Sequence, residues 1–121
     1  PFVQLPCCGV VSSFKFSRPE LEYWLLGKNK LTDYLAKNAM AEADSYAEGR
    51  PWTRVIWDVT AVAWLLNDGE RFMSSRLINT RLPDYDGYYG STEPTLFCNY
   101  VYFINDDVLK EDLINKLLGK I

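Results

Sequence analysis

The segment from Val55 to Leu66 constrains the fold of this chain more than any other. It reads Val-Ile-Trp-Asp-Val-Thr-Ala-Val-Ala-Trp-Leu-Leu, and Asp58 is its only ionisable side chain. A stretch this apolar is typical of a buried element, and a lone carboxylate is costly to bury unless another group satisfies it. The segment predicts an approach over residues 55–57 and then a buried helix from Asp58 to about Asn67.

Two explanations for Asp58 stay open. In the first, it is the N-cap of the helix, and its oxygens accept hydrogen bonds from the backbone N–H groups of residues 60 and 61. In the second, it faces a pocket and binds a cation or a substrate hydroxyl. The two are compatible, since one oxygen can cap while the other points outward. Trp57 adjoins this carboxylate, and either core packing or stacking on a ligand suits an indole there.

The remaining pattern predicts a mixed α/β chain with about four helices and four short strands. Residues 100–104 are apolar on both faces, which is typical of an interior strand. Capping residues mark two helix starts, a Ser17–Glu20 capping box and Asn105. The strands are expected at residues 2–5, 9–14, 72–82 and 96–104, and the helices at 18–26, 30–48, 58–67 and 106–118. A polar, tyrosine-rich connection should join the last two strands.

The buried face of the second helix is predicted from the helical spacing of its apolar and aromatic side chains. These recur at helical intervals and comprise Leu31, Leu35, Ala39, Ala43 and Tyr46. We therefore expect this face to pack against the core.

Composition excludes several kinds of site. The 121 residues, 48% of them hydrophobic, suffice for one packed domain. The chain has no histidine, so it holds no Ser-His-Asp or Cys-His pair and no HExxH zinc site. A net charge of −3 without a basic patch disfavours a nucleic-acid partner. The sequence contains no apolar run of 18 residues, so it predicts no membrane-spanning helix.

The cysteines indicate a reducing compartment. There are three, Cys7, Cys8 and Cys98, which is an odd number without a CxxC motif. We therefore expect unpaired thiols, with Cys7 and Cys8 buried, and a cytoplasmic location. The chain opens on Pro1, directly before a strand-like segment, so we expect it to begin within a domain.

Residues 55–66 resemble the C-terminal signature of inosine-uridine preferring nucleoside hydrolases, in which a His-Asp or Trp-Asp pair opens a buried helix. The flanking segments Leu5–Pro6, Val10–Ser12 and Pro19–Leu25 also resemble that family. The resemblance covers essentially all of this chain but only about the last third of a family member. It implies that residues 1–121 are a single C-terminal fragment of a Rossmann-like α/β domain, with a mostly parallel sheet and without the N-terminal catalytic portion.

The resemblance also implies a chemistry. Family members hydrolyse the N-glycosidic bond of ribonucleosides, giving ribose and a base, around a calcium ion held by aspartates. Asp58 matches the C-terminal calcium ligand of the family. Trp57 stands where many members have histidine, and members with tryptophan there favour purine nucleosides and stack the indole on the base.

The family's DxDxxxDD cluster is absent, so no catalytic residue is assigned in this chain. We expect the chain alone neither to bind calcium tightly nor to cleave nucleosides, because calcium takes six to eight oxygen ligands. Two functions stay open: the C-terminal portion of a ribonucleoside hydrolase, or a non-catalytic binding module derived from that fold. In either case the chain would associate as a homo-oligomer or with a partner through its uncovered edge.

Overall fold

The computed structural model describes residues 2–81, 84–88 and 95–120. Within them the chain forms four α-helices and five β-strands in small sheets, which confirms the predicted mixture of α and β. The strands are β1 (Phe2–Gln4), β2 (Lys15–Ser17), β3 (Thr53–Val55), β4 (Met73–Arg81) and β5 (Thr95–Ile104). The helices are α1 (Arg18–Trp24), α2 (Lys30–Ala47), α3 (Val59–Leu65) and α4 (Asp106–Leu117).

The strands form one three-stranded and one two-stranded sheet. In the first, β5 lies between β1 and β4, so the predicted interior strand is confirmed. β1 runs parallel to β5, with Phe2 opposite Cys98, whereas β4 is antiparallel to β5. β2 and β3 form the second sheet and are antiparallel, with Lys15 opposite Val55.

The predicted mostly parallel sheet is wrong for the described residues, because two of their three strand pairs are antiparallel. The reason lies in the connections. β4 and β5 are consecutive strands, and the described part of their connection, residues 84–88, forms a turn and not a helix, whereas a parallel pair needs a long crossover that is usually helical. The predicted connection over residues 83–95 lies largely outside the described residues. Its described part, residues 84–88, contains a turn in which the Gly87 amide donates to the Asp84 carbonyl at 2.8 Å.

Local capping fixes the helix starts where the sequence predicts them. The Glu20 carboxylate accepts from the backbone N–H of Ser17 at 2.7 Å and from its hydroxyl at 2.8 Å. The Asn29 side chain accepts from the Thr32 amide at 2.9 Å, and the Thr32 hydroxyl accepts from the Asn29 amide at 3.1 Å. Asn105 caps α4 through the Val108 amide. Apart from the bond of the Ser17 hydroxyl, each of these satisfies an N–H group that is left unpaired at the N-terminus of a helix.

The predicted strand over residues 9–14 is wrong. Val11–Ser13 form a single 3-10 turn instead, which follows Gly9 with its φ of +84°. The Ser13 hydroxyl donates to the Val10 carbonyl at 2.6 Å, a local bond that competes with strand pairing. Cys7 and Cys8 lie in the preceding turn and are exposed, so their predicted burial is wrong, whereas Cys98 is buried. All three cysteines are unpaired.

The buried face of α2 also differs from the prediction. Leu31, Leu35 and Tyr46 are exposed, although Ala43 is buried as expected. The buried face is instead formed by small and medium side chains, Thr32, Ala36, Met40, Ala43 and Ala47. α2 packs against α1 and β3. Small side chains allow this close approach, and the larger ones stay at the edge.

The core lies between the two sheets and the helices. Its most buried side chains are Phe14, Phe72, Met73 and Val101. Phe14 and Phe16 meet edge to face, with ring centroids 5.8 Å apart. The residues of this cluster come from both ends of the chain, so the fold closes only when distant segments meet.

Asn67 anchors the start of β4, and its loss should destabilise the fold. Its side-chain oxygen accepts from the amides of Phe72 at 2.8 Å and Met73 at 2.9 Å, and its amide group donates to the Met73 carbonyl at 2.8 Å. We predict that Asn67→Ala lowers the free energy of unfolding by about 2 kcal/mol, because it leaves partly buried backbone groups unpaired. Urea unfolding measures this loss. Asn79→Ala, at an exposed site in β4, is the control, and equal losses in the two variants would contradict the prediction.

Candidate functional site

Trp57 and Asp58 lie together between β3 and α3. Both side chains are exposed, Trp57 to 44%. The hydroxyl of Thr60 donates to the Trp57 carbonyl at 2.7 Å, and the Ala61 amide donates to the Asp58 carbonyl at 3.2 Å. Bonds to the carbonyls of Trp57 and Asp58 therefore secure the start of α3, and both side chains of the pair are exposed to solvent.

Asp58 does not cap α3 with its side chain, so the capping explanation is wrong. Its backbone is helical, with φ −73° and ψ −26°. A capping side chain reaches the next N–H groups from an extended backbone, which Asp58 lacks. Within the described residues its carboxylate makes no hydrogen bond or ion pair. It is exposed to solvent, where it can accept an outside ligand.

The helix that follows is less buried than predicted. Thr60 and Ala63 are buried, but Val62, Leu65 and Leu66 are exposed, Leu65 to 79%. α3 has only seven residues and packs through one face. The apolar residues around the rest of its circumference therefore form an exposed patch beside the Trp57–Asp58 pair.

The described residues do not fit a calcium ion by themselves. They bring together no group of three His, Cys, Asp or Glu side chains that could hold a metal. Asp58 supplies at most two of the six to eight oxygens that calcium takes. In a calcium site, Asp58 would be one ligand among several from elsewhere.

A polar link between α1 and α4 was not predicted. The Lys110 ammonium donates to the second oxygen of Glu20 at 2.6 Å and lies 5.0 Å from the Phe16 ring centroid. A cleft of about 410 Å³ opens beside this pair, lined also by Trp24 and Glu111. Glu20 and Lys110 are 90 residues apart, so no local spacing could have indicated their contact.

The environment of this link shifts two carboxyl groups in opposite directions. Partial burial raises the pKa of Glu20, but the hydrogen bonds from Lys110 and Ser17 together outweigh it and lower that pKa below its ordinary value. Burial raises the pKa of Asp106, and a hydrogen bond from the Ser13 hydroxyl at 3.1 Å offsets this only in part. Glu20 is therefore a stabilised anion, and Asp106 is not.

A second polar group ties α1 to α2. Arg18 binds Asp44 and Glu22, and its guanidinium lies 5.6 Å from the Trp52 ring centroid. The Trp52 indole donates to Asp44 at 2.9 Å. Arg18 and Trp52 lower the pKa of Asp44. Because every member of this group has a partner within it, its role is to join the helices.

An apolar pocket of about 280 Å³ lies beside the Trp57–Asp58 pair. Its floor is buried and includes Phe16, Leu21 and Ile114. Ile56 and Val59, which flank the pair in sequence, line its rim. Residues of β2 and of all four helices line the pocket. Because these residues are distant from one another along the chain, no sequence pattern indicates the pocket.

The Glu20 network should make stability depend on pH. A carboxyl whose pKa is lowered by folding stabilises the fold above its unfolded pKa of about 4.3, and this contribution is lost as the pH falls through the folded pKa. We predict that Glu20→Gln lowers the free energy of unfolding by about 1 kcal/mol at pH 7. The deficit relative to wild type should shrink between about pH 5 and pH 3.

Urea unfolding at several pH values measures this difference. Glu111→Gln is the control, because Glu111 is an exposed glutamate next to Lys110 in α4 and forms no ion pair within the described residues. A Glu20→Gln deficit that stays constant or grows as the pH falls would rule out the proposed stabilisation of the anion.

Among residues 2–81, 84–88 and 95–120, none of the helices combines the length and the apolar character that crossing a bilayer requires. Comparison of the chain with protein-family models, with curated proteins and with solved structures found no match. Any assignment of function therefore rests on the residues of this chain and on their geometry.

Proposed function

We propose that this chain is the C-terminal part of a ribonucleoside hydrolase, in which Trp57 contacts the base and Asp58 is one ligand of a calcium ion. The observation that supports the proposal is the pairing of an exposed indole with an exposed, unengaged carboxylate at the start of α3. An aspartate at such a boundary ordinarily caps its helix, so a side chain left without that role is available for a ligand.

The two neighbouring groups suit the two parts of a nucleoside. A half-exposed indole offers an apolar face on which a planar base can stack, and such contacts contribute about 1–3 kcal/mol per base. A purine covers more of that face than a pyrimidine, which favours purine nucleosides. A carboxylate oxygen is a hard ligand of the kind that calcium prefers.

The exposed face of α3 is consistent with the same proposal. Val62, Leu65 and Leu66 form an apolar patch that water solvates poorly. In the proposed enzyme this patch is covered by the portion of the domain that supplies the remaining calcium ligands. The alternative is a non-catalytic module of the same fold that associates through this patch, and an activity assay separates the two.

The product of the full reading frame containing this sequence tests the proposal. We expect it to release hypoxanthine from inosine in a calcium-dependent reaction. Asp58→Asn should weaken calcium binding and lower kcat/KM by about 100-fold, because it removes a charged ligand. Asp68→Asn is the control, since Asp68 is an exposed carboxylate just beyond α3. Absence of base release, or equal effects of the two substitutions, would overturn the proposal.

Trp57 should determine binding of the base. Trp57→Ala should raise KM for inosine by about 10-fold, and by less for uridine, because the larger base loses the larger stacking area. Trp57→Phe keeps an aromatic face and should retain most of the affinity. Steady-state kinetics with both nucleosides measure these effects, and equal changes for the two substrates would contradict a role in stacking.

The isolated chain should neither bind calcium tightly nor turn over inosine, since it offers one exposed carboxylate at this site. Calorimetric titration with calcium and an inosine assay on residues 1–121 check this expectation. Micromolar calcium binding together with turnover would show that the chain needs no further ligands and would contradict the proposed division of the site.

A further inference from the structure

We propose that the apolar pocket between α1, α2 and α4 is a binding site for a small, uncharged apolar molecule, an aromatic ring or a branched alkyl group. This inference goes beyond the proposed nucleoside chemistry and does not depend on it. The proposal rests on the volume of the pocket, on the character of its walls and on the way its rim is built.

The volume suits a small molecule. The pocket measures about 280 Å³. Small-molecule sites begin at roughly 300 Å³, and an apolar cavity of about 150 Å³ in another protein already accepts benzene. One ring with a short alkyl substituent therefore fits. Other clefts among the described residues are larger, so the apolar walls and not the volume distinguish this pocket.

The walls select against polar occupants. All the described side chains that line the pocket are apolar, from Phe16 and Leu21 on the floor to Leu113 and Leu117 at the rim. A charged or hydrogen-bonding ligand would lose its bonds to water and gain none. A peptide segment is disfavoured for the same reason, because the lining side chains offer its backbone N–H and carbonyl groups no partner. These walls therefore favour a free apolar molecule.

The rim allows entry without unfolding. The floor residues are buried, whereas Leu35 at the rim is 38% exposed, and Ala39 and Val59 are half-buried. Rotamer changes of long rim side chains such as Leu35 are fast compared with unfolding. A ligand inside would contact residues of all four helices and of β2. Binding should therefore stabilise the native state, and the more so the further the free ligand concentration exceeds Kd.

Ala39 gives a direct means of filling the pocket. It lies within α2, lines the pocket and carries only a methyl group. Leucine has nearly the same helix propensity as alanine, so Ala39→Leu changes the pocket volume and leaves the preference for helix almost unchanged. Ala41→Leu makes the same substitution at an exposed position of the same helix and is the matched control.

Toluene and phenol serve as probes, because they are similar in size and differ by a hydroxyl group. Titration of the wild-type chain is followed through the methyl NMR signals of Leu21, Leu113 and Ile114, and through the Tm. We expect saturable shifts of these methyls with toluene, a rise in Tm, and binding of phenol at least about 10-fold weaker. Ala39→Leu should weaken toluene binding by at least about 10-fold, and Ala41→Leu should leave it unchanged.

Absence of saturable methyl shifts in the wild-type chain up to the solubility of toluene would overturn the proposal, whatever the variants do. Equal toluene affinity in Ala39→Leu and wild type would overturn it as well, because the bound molecule would then lie elsewhere. Preference for phenol would contradict the apolar selectivity. None of these outcomes involves Trp57, Asp58 or calcium, so failure here is distinguishable from failure of the nucleoside hydrolase proposal.

Discussion

The shared burial of Phe14, Phe72 and Val101 is the interaction on which the rest of the structure depends. Neither sheet is large enough to be stable alone, since the described residues contain one sheet of three strands and one of two. The three side chains come from separate parts of the chain and close one core between these sheets and the helices. Because β1 pairs with β5, the first and the last strand of the described chain are joined in the same sheet.

The start of α3 illustrates how a local backbone conformation decides chemical availability. The helical φ and ψ of Asp58 remove its side chain from capping, and the backbone N–H groups of Thr60 and Ala61 donate to the carbonyls of Trp57 and Asp58 instead. An aspartate and a tryptophan that an ordinary helix start would use for capping and packing are therefore both exposed. The proposed role in nucleoside binding follows from this exposure and from the resemblance of residues 55–66 to nucleoside hydrolases.

The candidate pair and the apolar pocket share one short segment of chain. Ile56 and Val59 line the pocket, and Trp57 and Asp58 lie between them in sequence and face solvent. If both proposals hold, occupation of the pocket would restrain the segment that presents the indole and the carboxylate. The ion pairs Glu20–Lys110 and Arg18–Asp44 have a different role from both sites, since they join helices to one another.

The sequence by itself determined the starts of α1, α2 and α4 and the central position of β5. Capping at Ser17, Asn29 and Asn105 depends on groups three residues apart, and the character of β5 depends on adjacent side chains. Only the tertiary structure decided the buried face of α2, where packing distance favoured Ala36 over Leu35. It also decided the Glu20–Lys110 pair and the apolar pocket, because these join residues that are distant along the chain. The tertiary structure decided the exposure of Asp58 as well. The apolar run of residues 55–66 predicted a buried helix, but α3 packs through one face only and its first turn is open to solvent.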